Sequence, residues 1–139
     1  MKETVLAAIQ TRFDAFAELV AELPEERLTE KLPVPRSKSL EEHYWCIVGA
    51  RESYAKAIEK GEWSGFACSL TSLDKASVLA KLTSSAEAFS SIVQRVDNWT
   101  RKREELLLSL LEHEVMHEGQ IIRHMHALGH ELPASWKWA

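Results

Sequence analysis

Apolar residues recur at spacings of three and four along most of the chain, which is the spacing of one face of an α-helix. The four stretches with this pattern are residues 5–23, 40–58, 79–96 and about 101–128, and Pro24 ends the first of them. No segment shows the strict alternation of apolar and polar residues that is typical of a half-buried strand. The pattern therefore predicts four amphipathic helices and no sheet.

The residues at the helix ends support these boundaries. Ser39 is followed three residues later by Glu42, which is the spacing of a capping box at the start of the second helix. Thr71 and Asp74 give a similar, weaker start signal for the third helix. Residues 61–70 contain glycine and show no period, so they predict a loop between these two helices.

Four helices with one apolar stripe each can bury all four stripes together only in a bundle. A length of 139 residues is close to the usual size of one domain, so we expect a single all-α, four-helix bundle domain over residues 1–139. At about 3.3 Å per residue, the ten-residue loop could nearly run the length of a helix, which permits parallel neighbours.

Composition and charge exclude several classes of protein. The chain has 17 Lys and Arg against 21 Asp and Glu, a net charge of −4. It therefore lacks the excess of positive charge that binds a nucleic-acid backbone. The longest apolar run, residues 44–50, is far shorter than the roughly 20 residues that span a bilayer. The first residues lack a signal-peptide core, and two cysteines are too few for a disulfide scaffold. We therefore expect a cytoplasmic protein without nucleic-acid or membrane partners.

The histidines are the main candidates for chemistry. His113 and His117 are four residues apart on the fourth helix, so their side chains lie on one face and can bind one metal ion. They share the apolar stripe of Leu110 and Ile121, which points into the bundle. His43 lies in the inner stripe of the second helix, in its first turn, where the helix dipole favours neutral imidazole. Three imidazoles would leave a coordination position open for water, as in catalytic sites.

Other interpretations of these histidines must be weighed. Histidine pairs four apart arise by chance in a chain with six histidines, and buried histidines are often ordinary hydrogen-bonded core residues. His126 and His130 form a second such pair across a helix end, and we predict that they are surface residues. His43 begins its helix, whereas His113 and His117 lie in mid-helix. A shared site therefore requires staggered helices and lies towards a cleft.

The segment from His113 to His117 also matches the HExxH motif of zinc proteases, in which Glu114 would be the general base. The extended form of this motif needs glycine and histidine where this chain has Gln120 and Arg123. No sheet is predicted that would hold an extended peptide substrate. A zinc protease is therefore the remote alternative.

Residues 113–120, His-Glu-Val-Met-His-Glu-Gly-Gln, resemble the last helix of the DinB/YfiT-like metalloenzyme family. Residues 132–136, Leu-Pro-Ala-Ser-Trp, are similar to the segment that follows that helix, and His43 is similar to the family's first ligand. The resemblance implies a bundle of up-down-down-up order and a divalent metal, nickel or zinc, bound by His43, His113 and His117. It also implies a homodimer.

By the same resemblance, characterised relatives use a low-molecular-weight thiol, as bacillithiol S-transferases and mycothiol-dependent maleylpyruvate isomerases do. A bound cation would lower the pKa of such a thiol. Many members have arginine where this chain has Glu118. The leading hypothesis is a metal-dependent enzyme that activates a thiol or water for S-transferase or hydrolase chemistry on a small molecule. The alternative is a non-catalytic bundle whose metal site is structural or vestigial.

Several neighbouring residues are secondary candidates. Glu114 lies about 100° around the helix from its neighbouring ligand, where it would orient a partner or act as a base. Gln120 is a candidate for contacting a ligand histidine or a substrate. His124 is roughly 10 Å along the helix from His117, too far to share the ion, and lines the cleft or fills a polar core position. Cys46 could approach the metal as a soft ligand, and an inert buried thiol is the interpretation that we favour.

Overall fold

The computed structural model describes residues 1–139 and contains four long helices and no strand. These are α1 (Lys2–Glu22), α2 (Leu40–Lys60), α3 (Lys75–Arg95) and α4 (Arg101–Ala127). The all-α, four-helix prediction is therefore confirmed. A short 3₁₀ helix, Glu25–Thr29, follows α1 and was not predicted, because five residues are too few to show a hydrophobic period.

Side-chain caps define where α2 and α3 begin. The Ser39 hydroxyl accepts a hydrogen bond from the Glu42 backbone N–H, and the Glu42 carboxylate accepts one from the Ser39 N–H at 2.7 Å. This is the predicted capping box. At α3 the cap is Asp74 itself, whose carboxylate accepts from the Ser77 N–H at 2.9 Å. The helix therefore begins three residues later than a cap at Thr71 would place it.

The packing of the helices gives their order and direction. α2 and α1 each pack against both α3 and α4 and lie diagonally opposite each other. Arg95 and Glu59 form an ion pair between the C-terminal ends of α3 and α2, so these two helices are parallel. Arg103, in the first turn of α4, donates to the backbone carbonyl of Glu59 at 2.9 Å, so α4 is antiparallel to α2. Lys2 lies over the ring of Trp99, so α1 and α4 begin at the same end.

The core consists of two apolar clusters with a buried ion pair between them. One cluster contains Phe16 and the other contains Phe13. The guanidinium of Arg51 lies 3.9 Å from the ring centroid of Phe13 and 5.8 Å from that of Phe16. It donates two hydrogen bonds of 2.9 Å to Glu114, and both side chains are fully buried. This pair connects α2 to α4 through the middle of the bundle.

The segment after α4 closes one end of the bundle. Trp136 is buried, its indole N–H donates to the carbonyl of Ala15 at 3.2 Å, and its ring lies 5.6 Å from that of Phe16. No helix is both long enough and apolar enough to cross a membrane.

Candidate metal centre

Three imidazoles and a thiol meet where α2 packs against α4. The Nδ1 atoms of His43 and His117 are 3.0 Å apart, and the Sγ of Cys46 is 3.5 Å from the Nε2 of His113. One ligand atom each from Cys46, His113 and His117 can be chosen so that all three lie within 4.8 Å of one another. Two nitrogens bound to one tetrahedral zinc ion lie roughly 3.3 Å apart. The separation of the two Nδ1 atoms is close to this value. The set whose ligand atoms all lie within 4.8 Å of one another contains Cys46 in place of the predicted ligand His43, which contacts His117.

Local helix geometry explains why these side chains converge. His113 and His117 lie four residues apart on α4, and their ring centroids are 4.5 Å apart. His43 and Cys46 lie three residues apart on α2, which also places them on one face. Because α2 and α4 are antiparallel, the first turn of α2 lies against the later half of α4. This is the stagger that a shared site requires.

The environment of the imidazoles fits a divalent ion. His117 is 1% exposed and His43 is 5% exposed. The Nε2 of His117 and the Nδ1 of His113 are buried without a hydrogen-bond partner. Such orphaned polar atoms are rare in folded proteins, because burial without a partner is costly. A metal ion bound through these two nitrogens would satisfy them, whereas the short contacts with His43 and Cys46 use the other nitrogen of each ring. Imidazole with thiolate is a donor set suited to zinc and nickel.

Burial also sets the protonation states of the cluster. Loss of water lowers the pKa of His43 to about 4, and together with the neighbouring imidazoles it lowers that of His117 to about 3. Burial lowers the pKa of His113 in the same way, and the ammonium of Lys38 adds to the effect on all three. The imidazoles are therefore neutral near pH 7, as metal ligands must be. Burial raises the pKa of the Cys46 thiol, so a metal ion would have to displace its proton.

The sequence position of Cys46 was a signal that this residue belongs to the histidine cluster. Its spacing of three residues from His43 allows both to face one site, although an inert buried thiol was the favoured interpretation. The structure places its Sγ beside His113.

Glu114 lies beside the histidines in sequence but faces the other way in the structure. It is fully buried, and both of its carboxylate oxygens accept hydrogen bonds from Arg51. Burial raises the pKa of Glu114, and the charge of Arg51 opposes that rise. No hydrogen bond joins it to a histidine. A protease of the HExxH type needs this carboxylate beside the metal, whereas here both of its oxygens are held by Arg51.

Two of the secondary candidates line a cleft next to the histidines. Gln120 and His124 share this cleft with His43. His124 is 3% exposed, and its Nε2 is buried without a hydrogen-bond partner. The sequence left open whether His124 lines the cleft or fills the core, and the structure shows that it does both.

Three further polar residues, two on α4 and one just after it, are not part of the histidine cluster. Glu118 is buried and forms an ion pair of 3.1 Å with Arg12 of α1. His126 is exposed, as predicted. His130 is half-buried, and its Nε2 lies 2.7 Å from a carboxylate oxygen of Glu30, so it is not the free surface residue that its position after the helix end suggested.

The fold and the site place the protein in the class of four-helix bundles with a histidine cluster between two helices. The model of the DinB family matches residues 1–136, and the chain belongs to this family. The fold is similar to the crystal structure of a DinB-like protein, YjoA, from Bacillus subtilis, with a TM-score of 0.71 and 19% identity. The match covers 95% of this chain and 97% of that one. No curated protein matches the chain.

Proposed function

We propose that this protein is a metal-dependent enzyme in which His43, His113 and His117 bind one divalent ion, nickel or zinc. The observation that carries the proposal is that His117 contacts both His43 and His113, with two ring nitrogens of the cluster buried and unpartnered. Membership of the DinB family supports it.

The reaction that we propose is S-transfer or hydrolysis on a small molecule, with a low-molecular-weight thiol as cosubstrate in the first case. When bound, a divalent cation supplies positive charge that lowers the pKa of a thiol or water. The chain keeps the three imidazoles neutral and largely shielded from water by burying them. The cleft beside His43 gives a small molecule access, and Gln120 at its wall offers an amide that can donate or accept a hydrogen bond.

A structural metal site is the second candidate, and Cys46 is the observation that favours it. Its Sγ lies 3.5 Å from the Nε2 of His113. As a fourth protein ligand it would close the coordination sphere, and closed tetrahedral sites are typical of structural zinc, whereas catalytic sites keep one position open.

The first experiment is elemental analysis of the untagged protein after reconstitution with nickel and, separately, with zinc at near-neutral pH. We expect one equivalent of metal in the wild type and none in the double variant His113→Ala/His117→Ala. The variant His126→Ala is the matched control, because it removes an exposed histidine from the same helix and should keep full stoichiometry. A wild-type protein that binds no metal would contradict the proposal.

Chelation then separates the two candidates. For an enzyme we expect conjugation of a thiol to a small electrophile to stop on chelation and to return with metal, while the urea midpoint changes little. A structural site predicts instead that chelation lowers the free energy of unfolding by several kcal/mol. The variant Cys46→Ala is informative in the same way. It should keep full stoichiometry if the site is open, and it should bind metal far more weakly if Cys46 is a ligand.

A further inference from the structure

The cleft beside His43 is lined by positively charged and uncharged residues. Its volume is about 540 Å³, within the usual range for small-molecule sites. One wall comes from the connector before α2, with Arg36 and Lys38, and the other from α4, with Gln120 and Arg123. None of the lining residues is Asp or Glu. The cleft is therefore cationic in a chain whose net charge is −4.

The two arginines of the cleft differ from all the others in the chain. Arg36 and Arg123 are exposed, and their side chains make no hydrogen bond or ion pair with the protein. The remaining arginines each donate to a carboxylate or a backbone carbonyl; they are Arg12, Arg27, Arg51, Arg95, Arg101 and Arg103. Lys38 is also without a partner carboxylate. The unpaired guanidinium groups are thus concentrated at this cleft.

The backbone that carries Arg36 is strained. Arg36 has a φ of 62°, and it is the only residue other than glycine with a positive φ. It follows Pro35 in a tight turn closed by a 3.3 Å hydrogen bond from the Ser37 N–H to the Val34 carbonyl. Turns with proline and then a positive φ normally place glycine at that second position. Strain of this kind at a residue that lines a cleft points to a binding role.

His124 supplies an independent observation. Its side chain lines the cleft although the residue is only 3% exposed. Its Nε2 has no hydrogen-bond partner in the protein. A buried nitrogen without a partner, on a residue that lines a cleft, is suited to a ligand that brings one.

We propose that this cleft binds the anionic group, a carboxylate or a phosphate, of the small molecule on which the metal centre acts. Arg36, Lys38 and Arg123 supply the positive charge, and His124 supplies a hydrogen bond. Guanidinium groups bind both anions through paired N–H donors. Because His43 lines the same cleft, an anion held there lies beside the metal centre. Describing this anion as part of the substrate rests on the proposed function, whereas anion binding itself does not.

The test is a titration of the full-length, metal-free protein with inorganic phosphate and, separately, with succinate, followed by NMR at constant ionic strength. We expect saturable shifts of the backbone amides at Gly119 and Gln120 and of the His124 side chain. The anion with the lower Kd identifies the chemistry as phosphate or carboxylate. Arg123→Gln and Lys38→Gln should each weaken binding about tenfold, as expected for the loss of one charge-assisted contact. Lys56→Gln, an exposed lysine on α2, should leave the Kd unchanged.

Arg36→Gly separates a binding role from a structural one. Glycine adopts this backbone freely, so the variant should fold at least as well as other surface variants. It should nevertheless weaken anion binding severalfold. Absence of a saturable shift with both anions would overturn the proposal, as would equal Kd values in Arg123→Gln, Lys38→Gln and Lys56→Gln. Because the titration uses metal-free protein, it stays interpretable if the metal analysis fails, and a metal-binding protein without anion binding would refute this inference alone.

Discussion

At the scale of single residues, Arg51 and Glu114 form an ion pair in which both side chains are fully buried. The two hydrogen bonds of 2.9 Å use both carboxylate oxygens, and a third nitrogen of Arg51 donates to the carbonyl of Leu82 at 3.3 Å. Glu114 is adjacent to His113, so the pair also fixes the rotation of α4 that directs the histidines towards α2.

Removing one member of this pair should be strongly destabilising. We expect Glu114→Leu to lower the free energy of unfolding by about 3–5 kcal/mol, because it leaves the guanidinium buried and unpaired. The double variant Arg51→Met/Glu114→Leu should recover most of that loss, since it removes both charges. Glu105→Leu breaks an exposed pair with Arg101 and should change stability by less than about 1 kcal/mol. Urea unfolding measures the stability of all three variants. A double variant that is less stable than Glu114→Leu alone would contradict the prediction.

At the scale of the helices, the capping box of α2 connects stability to the site. The carbonyl of Ser39 accepts a hydrogen bond from the backbone N–H of His43 at 3.1 Å, so the cap and the histidine share one turn. Fraying of this turn would move His43 away from His117.

Loss of the cap should therefore affect both folding and metal binding. We expect Ser39→Ala to lower the free energy of unfolding by about 1 kcal/mol and to weaken metal affinity. Ser84→Ala, on the exposed face of α3, is the control and should change neither quantity appreciably. Urea unfolding and a competitive metal titration measure the two effects. Unchanged metal affinity in Ser39→Ala, despite its lower stability, would show that His43 does not depend on the cap.

The cap of α3 gives a pH dependence with a definite sign. Hydrogen bonds from Ser72 and Ser77 lower the pKa of Asp74 to about 2. The unfolded value is about 4, so the cap stabilises the folded state fully above pH 4 and loses this effect as the pH falls towards 2. Asp74→Asn keeps a capping oxygen but does not titrate. We expect its urea midpoint to fall less than that of the wild type between pH 4 and pH 2, and an equal fall in both proteins would contradict this prediction.

At the scale of the whole molecule, the loop between α2 and α3 packs closely on α2. A Cβ built on Gly49 would lie 2.3 Å from the ring of Phe66 and 2.9 Å from the Cβ of Cys68. A Cβ built on Gly119 of α4 would have no neighbouring atom within 4 Å. The two helical glycines therefore differ in their surroundings.

The same substitution should have opposite effects at these two sites. We expect Gly49→Ala to destabilise the protein by about 1–3 kcal/mol, because the loop must move away from α2. Gly119→Ala should stabilise it by up to about 1 kcal/mol, because alanine favours the helix and meets no neighbour. Thermal unfolding of both variants is the measurement, and equal shifts of Tm would contradict the prediction.

The homodimer stays a prediction, which sedimentation equilibrium tests.

The sequence by itself determined the four helices, most of their ends and the shared face of His113 and His117. These features depend on residues at most a few positions apart, through the helical period and through caps such as Ser39 with Glu42. It also placed His43 on an inner face, although not beside any particular partner.

Only the tertiary structure decided which side chains meet. His43 and His117 are 74 residues apart in the chain, and their contact depends on the stagger and rotation of α2 and α4. The same packing turns Glu114 towards Arg51 and brings Lys38 and Arg123 to one cleft. Helix rotation follows from the fit of every side chain in the core, which no local pattern contains.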